Sequence, residues 1–224
     1  MKKLVLVYML SMGSLAWAQS APPLASAHSF AVLGASTVTN TGPTIITGDL
    51  GVSPGTAVTG FPPGSVTGGT VHAGDATATA AQAAAHSAYG NLVAQPCGIN
   101  LTGKTLGTSP GAVTLTPGVY CFNSSAQLTG TLTLSGNGVY AFKIGSTLTT
   151  ASNSSVVLAN GATAEKVFWQ VTSSATLGTN TAFEGSILAN ISGTVSTGAV
   201  VTGRVFALTG AVTLSGNRIR AASK

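Results

Sequence analysis

"VFWQVTSSATLGTNTAFEGSILANISGTVSTGAVVTGRVFALTGAVTLSGN", residues 167–217, decides the fold, because three kinds of short strand recur within it in a fixed order. A first column holds "AFEG" at 182 and "VVTG" at 200. A second holds "VFWQ" at 167, "ILAN" at 187 and "VFAL" at 205, and a third "ATLG" at 175, "TVST" at 194 and "AVTL" at 211. Upstream the same columns continue. The first gains "AVTL" at 112, "TLTL" at 131 and "VVLA" at 156; the second gains "VYCF" at 119 and "VYAF" at 139; the third gains "QLTG" at 127 and "TLTT" at 147. Each column returns every 17 to 28 residues, with Gly, Asn, Ser or Pro at most junctions. Three short strands per turn, each turn stacked on the last, is the signature of a parallel β-solenoid of triangular section. A β-sandwich also alternates strands and turns, but it has no three-column cycle.

The segment before residue 70 runs through the same cycle as "FAVLG", "STVTN", "PTIITG", "LGVSPG", "TAVTG" and "GSVTGG". Between it and the later coils lies "GDATATAAQAAAHSAYGNLVAQP". Asp75 can cap a helix of mostly alanine over about 74–94, and Pro96 follows its end. The solenoid is therefore discontinuous in sequence, interrupted by this helix and by a cap region at about 95–111. A helix of small residues can lie close against a flat sheet, and the second column supplies the surface. Alternation there points Phe142, Ile144, Trp169, Val171 and Ile191 inward, and Ala141, Phe168, Leu188 and Val205 outward, where the helix covers them.

"MKKLVLVYMLSMGSLAWAQS" has two lysines, an apolar run and Ala16-Trp17-Ala18 ahead of Gln19. It reads as a signal peptide over 1–18, leaving 19–224 as a single secreted domain, with the periplasm as the alternative destination. No membrane association is expected after cleavage. Only 6% of the residues are charged, against about a quarter in an ordinary globular chain. A disordered chain would be poor in aliphatics and rich in charge, and this one is the reverse. Loss of Lys2 and Lys3 leaves a modest basic excess, much of it in Arg218, Arg220 and Lys224. That is a solvated tail and not the long basic stripe that nucleic acid requires.

Catalysis is not expected. The acids Asp49, Asp75, Glu165 and Glu184 fall on different coils or elements, His28, His72 and His86 have no metal-ligand spacing, and no phosphate loop or G-x-S-x-G occurs. No cofactor and no metal are implied. Cys97 and Cys121, an even pair in an exported chain, are expected to form a disulfide closing the loop-rich segment between them. Metal-ligand or nucleophile roles for them would lack nearby His or acidic partners.

"FAVLGASTVTNTGPTIITGDLGVSPG", the alanine-rich helix, "LTPGVYCF", "VFWQVTSSATLGTNTAFEGSILA" and "TGRVFALTGAVTLSGN" together resemble the DUF3494 family of microbial ice-binding proteins, from His28 to Asn217. The resemblance implies a mainly β fold, a discontinuous right-handed β-helix with one long helix packed alongside, and ice binding through one flat face. The cysteine pair is similar to the cap disulfide of some members. The family's ice-binding face varies widely, so its residues have to be argued from this chain.

In the third column, alternation turns Val38, Leu148, Leu177, Val195 and Val212 inward. Thr37, Thr39, Thr147, Thr149, Thr176, Thr194, Ser196 and Thr213 then face outward, with Gly178 and Ala211 filling two further places. Outward residues on one strand lie about 6.5–7 Å apart, and stacked strands about 4.7–4.9 Å apart, a grid close to the oxygen spacings of ice lattice planes. Threonine suits such a grid because its restricted χ1 holds hydroxyl and methyl in a fixed array. The expected activity is adsorption to ice with thermal hysteresis and inhibition of recrystallisation, by a monomer whose partner is the ice crystal surface. The first column, with outward Thr131, Thr133, Ser155, Val157, Glu184, Thr202 and Arg204, is less regular and would serve as a rim. The alternative function is an extracellular adhesive or matrix module binding a polysaccharide, which would need exposed aromatic side chains for stacking on sugars.

Overall fold

The computed structural model describes residues 20–222; the leader over 1–18 and Lys224 lie outside them. Three stacks of parallel strands form a triangular solenoid, and the cycle read from the sequence is the order in which the chain visits them. The third face is a seven-stranded parallel sheet of its own. The first and second faces are continuous through two long strands, Ala182–Ala189 and Val200–Ala207, which turn the corner between them. Gly185 and Gly203 make that corner with φ of 107° and 151°, conformations open to glycine at little cost. A Cβ on Gly203 would stand 1.9 Å from the carbonyl oxygen of Gly185.

The coils do not stack in chain order. The C-terminal strand Arg218–Arg220 is followed on the first face by Ile45–Thr47 and then Ser65–Thr67. On the second face Phe30–Gly34 adds to Val200–Ala207, and on the third Thr37–Thr41 adds to Val212–Ser215. One coil is thus a composite of the two ends of the chain. Three strands absent from the columns complete the first and second faces: Arg218–Arg220, Val71–Ala73, which pairs with Asp49–Val52, and Ile99–Asn100, which pairs with Gly118–Phe122. A buried polar cluster secures the composite coil. Thr44 Oγ1 donates to Asn40 Oδ1 at 2.5 Å, the Asn217 amide donates to Thr44 Oγ1 at 3.1 Å, and Asn217 Nδ2 donates to the Ser196 carbonyl at 2.6 Å.

Inside, Tyr120, Phe142 and Trp169 pair in register on the second face and stack; Phe142 and Trp169 lie 3.8 Å apart at 7°. Tyr120 and Tyr140 each donate their phenol to the carbonyl four residues earlier, Thr116 and Gly136, at 2.5 and 3.0 Å. Those bonds satisfy both buried phenols. Toward the other end the same position holds Ile187, Val205 and Val32. Val205 therefore points inward, opposite to expectation, because it is in register with Ile187. Ile191 is 44% exposed instead of buried, since its strand ends at Ala189 and the chain has already turned.

Helix α1, Ala76–Ala94, runs back over the second face. Asp75 caps it, accepting from the Ala78 amide at 2.8 Å, and that bond, followed by the one to His72, holds the Asp75 carboxyl below its usual pKa. Ala81, Ala85, Ala88 and Leu92 are fully buried against Ala141, Phe168, Leu188 and Phe206. Each large apolar side chain so covered contributes on the order of 1.5–3 kcal/mol. Methyl side chains on α1 allow the close approach that lets one helix shield these side chains from two neighbouring rows. Polar bonds fix its register: Gln82 Nε2 donates to the Ala207 carbonyl at 3.1 Å, Gln170 Nε2 to the Tyr89 hydroxyl at 2.9 Å, and Lys143 Nζ to the carbonyls of Val93 and Gln95 at the helix end.

Just beyond that end, Cys97 is joined to Cys121 with Cα atoms 5.9 Å apart. The bond ties the exit of α1 to the strand Gly118–Phe122 across 24 residues of chain. Replacing both cysteines by serine is expected to lower stability by roughly 2–4 kcal/mol by freeing this loop in the unfolded chain. The check is the midpoint of denaturant unfolding, with the oxidised wild type as reference.

Candidate ice-binding face

The third face is built from inward residues that leave no choice to the outward ones. Val38, Leu148, Leu177, Val195 and Val212 are all buried in the main core, so their neighbours on each strand must face solvent. Register then aligns those neighbours across coils. Thr149 pairs with Thr176, Thr176 with Thr194, Thr194 with Thr213, Thr213 with Thr39, and Thr39 with Thr59. Gln127 pairs with Thr149 at the cap end of the file. At the usual strand separation this central file spans about 29 Å. It passes from Thr213 to Thr39 without a break because the N-terminal segment docks on the C-terminal coil.

Two flanking files complete the face. Thr147, Ala211 and Thr37 lie in one, with Thr37 in register with Ala57; Thr147 donates its hydroxyl to Ser125 at 2.8 Å. Ser196 and Gly178 lie in the other, which continues to Ser215 and Thr41. Every residue predicted for the face is exposed or half-buried, and the fold brings them all together. Thr59, Gln127, Thr41 and Ser215 were missed, although the alternation in "TAVTG" and "QLTG" already turned the first two outward. The face carries no charged side chain. Its edge is held by buried threonines: Thr150 Oγ1 shares a hydrogen bond with Thr181 at 2.8 Å and accepts from the Gly178 amide at 2.8 Å.

The first face is different. Its rows mix Thr131, Ser155, Ala182, Val200, Arg218, Ile45 and Ser65 in succession, so neither size nor polarity repeats. Arg204, expected among its outward residues, is not there and is only 1% exposed. The corner at Gly203 turns it onto the second face to the side of α1, where segments from both ends of the chain cover it. Its guanidinium donates to the His28 carbonyl at 2.7 and 3.1 Å and to the Ala222 carbonyl at 2.9 Å. Burial pushes its pKa down while nearby Glu165 pulls it back up.

The four acids hold separate positions. Asp75 caps α1, Asp49 accepts from the Thr70 amide at 2.8 Å, Glu165 lies 3.4 Å from His28, and Glu184 sits on the first face. Among the described residues no cluster of His, Cys, Asp and Glu could hold a metal ion.

Fold and face together define a β-solenoid protein that presents a flat, uncharged threonine grid. A family model described as "Ice-binding-like" matches residues 32–220, and the chain belongs to that family. It is 51% identical over 207 residues to an ice-binding protein of Nostoc sp. (strain HG1), covering 90% of this chain and 75% of that one. Among solved structures it is similar to an ice-binding protein from an Antarctic biological consortium, with a TM-score of 0.85, 39% identity and coverage of 97% and 96% of the two chains. It is also similar to one from the Antarctic ascomycete Antarctomyces psychrotrophicus, with a TM-score of 0.84, 37% identity and coverage of 92% and 100%.

Proposed function

We propose that this protein is secreted and adsorbs to ice as a monomer through the third face, with the central threonine file as its main contact. The observation that carries this reading is the unbroken register from Thr149 to Thr59 across coils drawn from both ends of the chain. In such a file each β-branched side chain presents its hydroxyl and methyl in a repeating orientation. The hydroxyls anchor ordered water, and the methyls keep that water from exchanging freely with the bulk. A lysine or glutamate would protrude and impose its own hydration shell. Burying one methyl is worth no more than about 0.8 kcal/mol, so adsorption has to be collective over many coils, which is what a long flat face provides.

The role is non-catalytic: the acids are engaged singly, and the family is an ice-binding one. The adhesive alternative draws no support from stacking aromatics, since Trp169, Tyr120 and Tyr140 are fully buried. The test is the leaderless wild-type protein in a dilute buffer observed under a cold-stage microscope. Faceted crystals, a gap between melting and growth temperatures, and arrested grain coarsening are expected; round crystals that grow at the melting point would overturn the reading.

A further inference from the structure

The first face carries two guanidinium groups that the ice-binding reading does not use. Arg218 and Arg220 are both exposed on the strand they bound, with the buried Ile219 between them. They are two residues apart, so their backbones lie about 6.5–7 Å apart on the same side of the sheet. Register gives each arginine matched neighbours. Val200 and Ile45 flank Arg218, and Thr202 and Thr47 flank Arg220. These residues line a shallow groove. Neither arginine forms an ion pair with a described residue. The acid of this face, Glu184, lies beyond Thr202 in the same row. Burial raises its carboxyl pKa, against the hydrogen bond from Thr202 and the charge of Arg220.

We propose that this patch is a binding site for an acidic polysaccharide. A guanidinium fork matches a carboxylate or sulfate in two parallel hydrogen bonds, so an acidic polymer is held here by charge and not by the aromatic stacking that a neutral polysaccharide would require. Thr202 and Thr47 on either side of Arg220 exchange hydrogen bonds with sugar hydroxyls, and Val200 and Ile45 on either side of Arg218 receive the apolar C–H faces of the rings. Charge, hydroxyl and apolar surface thus alternate at the scale of a sugar residue. Nucleic acid would call for a longer basic stripe with aromatic platforms, and an anionic bilayer for an amphipathic helix with a deep apolar face; the groove has neither. A polymer held here leaves the third face open, so the proposal stands apart from the ice-binding reading.

The experiment is calorimetric titration of the leaderless protein with polygalacturonate, with neutral dextran of equal length, with duplex DNA, and with vesicles of phosphatidylserine and phosphatidylcholine, each at low and high salt. Binding to polygalacturonate that weakens with salt is expected. Combined Arg218→Gln and Arg220→Gln should weaken it about tenfold or more, the loss of charge-assisted hydrogen bonds. Lys104→Gln, on the distant cap, should leave it unchanged, and ice shaping by the double variant should remain as a check on its fold. No binding of polygalacturonate by the wild type, equal binding of dextran, equal or tighter binding of DNA or vesicles, or unchanged binding by the double variant would each overturn the proposal.

Discussion

Thr194→Tyr is expected to abolish most of the thermal hysteresis while leaving the fold intact. Thr194 sits in the middle of the central file, in register with Thr176 on one side and Thr213 on the other. Its side chain points away from the core, because Val195 beside it is buried. A tyrosine there has room to extend into solvent, so the thermal midpoint should stay within about 1–2 °C of wild type, as for other exposed substitutions. The ring would nevertheless stand proud of its neighbours and hold them all off a flat crystal plane. The damage exceeds the loss of one contact because adsorption is shared along the file. Thr149→Tyr, one step from the end, should do less. The matched control is Thr133→Tyr, outward on the first face and half-buried like Thr194. If the control removes the activity and the two file variants keep it, the third face is not the ice-binding one.

Arg204→Ala should be the most destabilising single substitution outside the apolar core. The side chain is buried and its guanidinium bonds carbonyls from both ends of the chain, His28 and Ala222. Alanine would leave those carbonyls without a donor in a closed site. Hydrogen bonds from a charged donor contribute about 1.5–3 kcal/mol each, so losing those to His28 and Ala222 is expected to cost about 3–5 kcal/mol. A loss of that size corresponds to a drop in thermal midpoint on the order of 10 °C in a domain of this length, measurable by scanning calorimetry. An unchanged midpoint would show that water replaces the guanidinium without penalty.

The parts of this molecule that were legible in the sequence are those governed by period. Val38, Leu148, Leu177, Val195 and Val212 could be assigned to the core, and the threonines beside them to the surface, because a strand alternates and a coil repeats. The alanine run and Asp75 marked α1 to within two residues at its start, and Ala141, Phe168 and Leu188 were assigned beneath it for the same reason. Alternation fails at corners, where a glycine of unusual φ resets which way the next side chain points. Arg204 lies just past such a glycine, Gly203, whereas Ile191 lies beyond the end of its strand at Ala189; both break the alternation. Val205 was misread because its parity is set by pairing with Ile187, a relation between coils that alternation within one strand does not contain. Pairing between the ends of the chain is hidden in the same way: "RIR" at 218–220 has no neighbour in sequence that reveals it as the middle of a stack.

Arg204 also determines where a tether can leave. It gathers His28 and Ala222 to the edge shared by the first and second faces, and in a triangular prism that edge lies opposite the third face. Residues 20–28 approach it alongside α1, still away from the threonine grid. Anything spliced onto either tail, whether a bead, a cell-wall anchor or another copy in tandem, would hang from the rear of the prism with the grid pointing outward. A display built on this domain would need no engineered spacer to orient it.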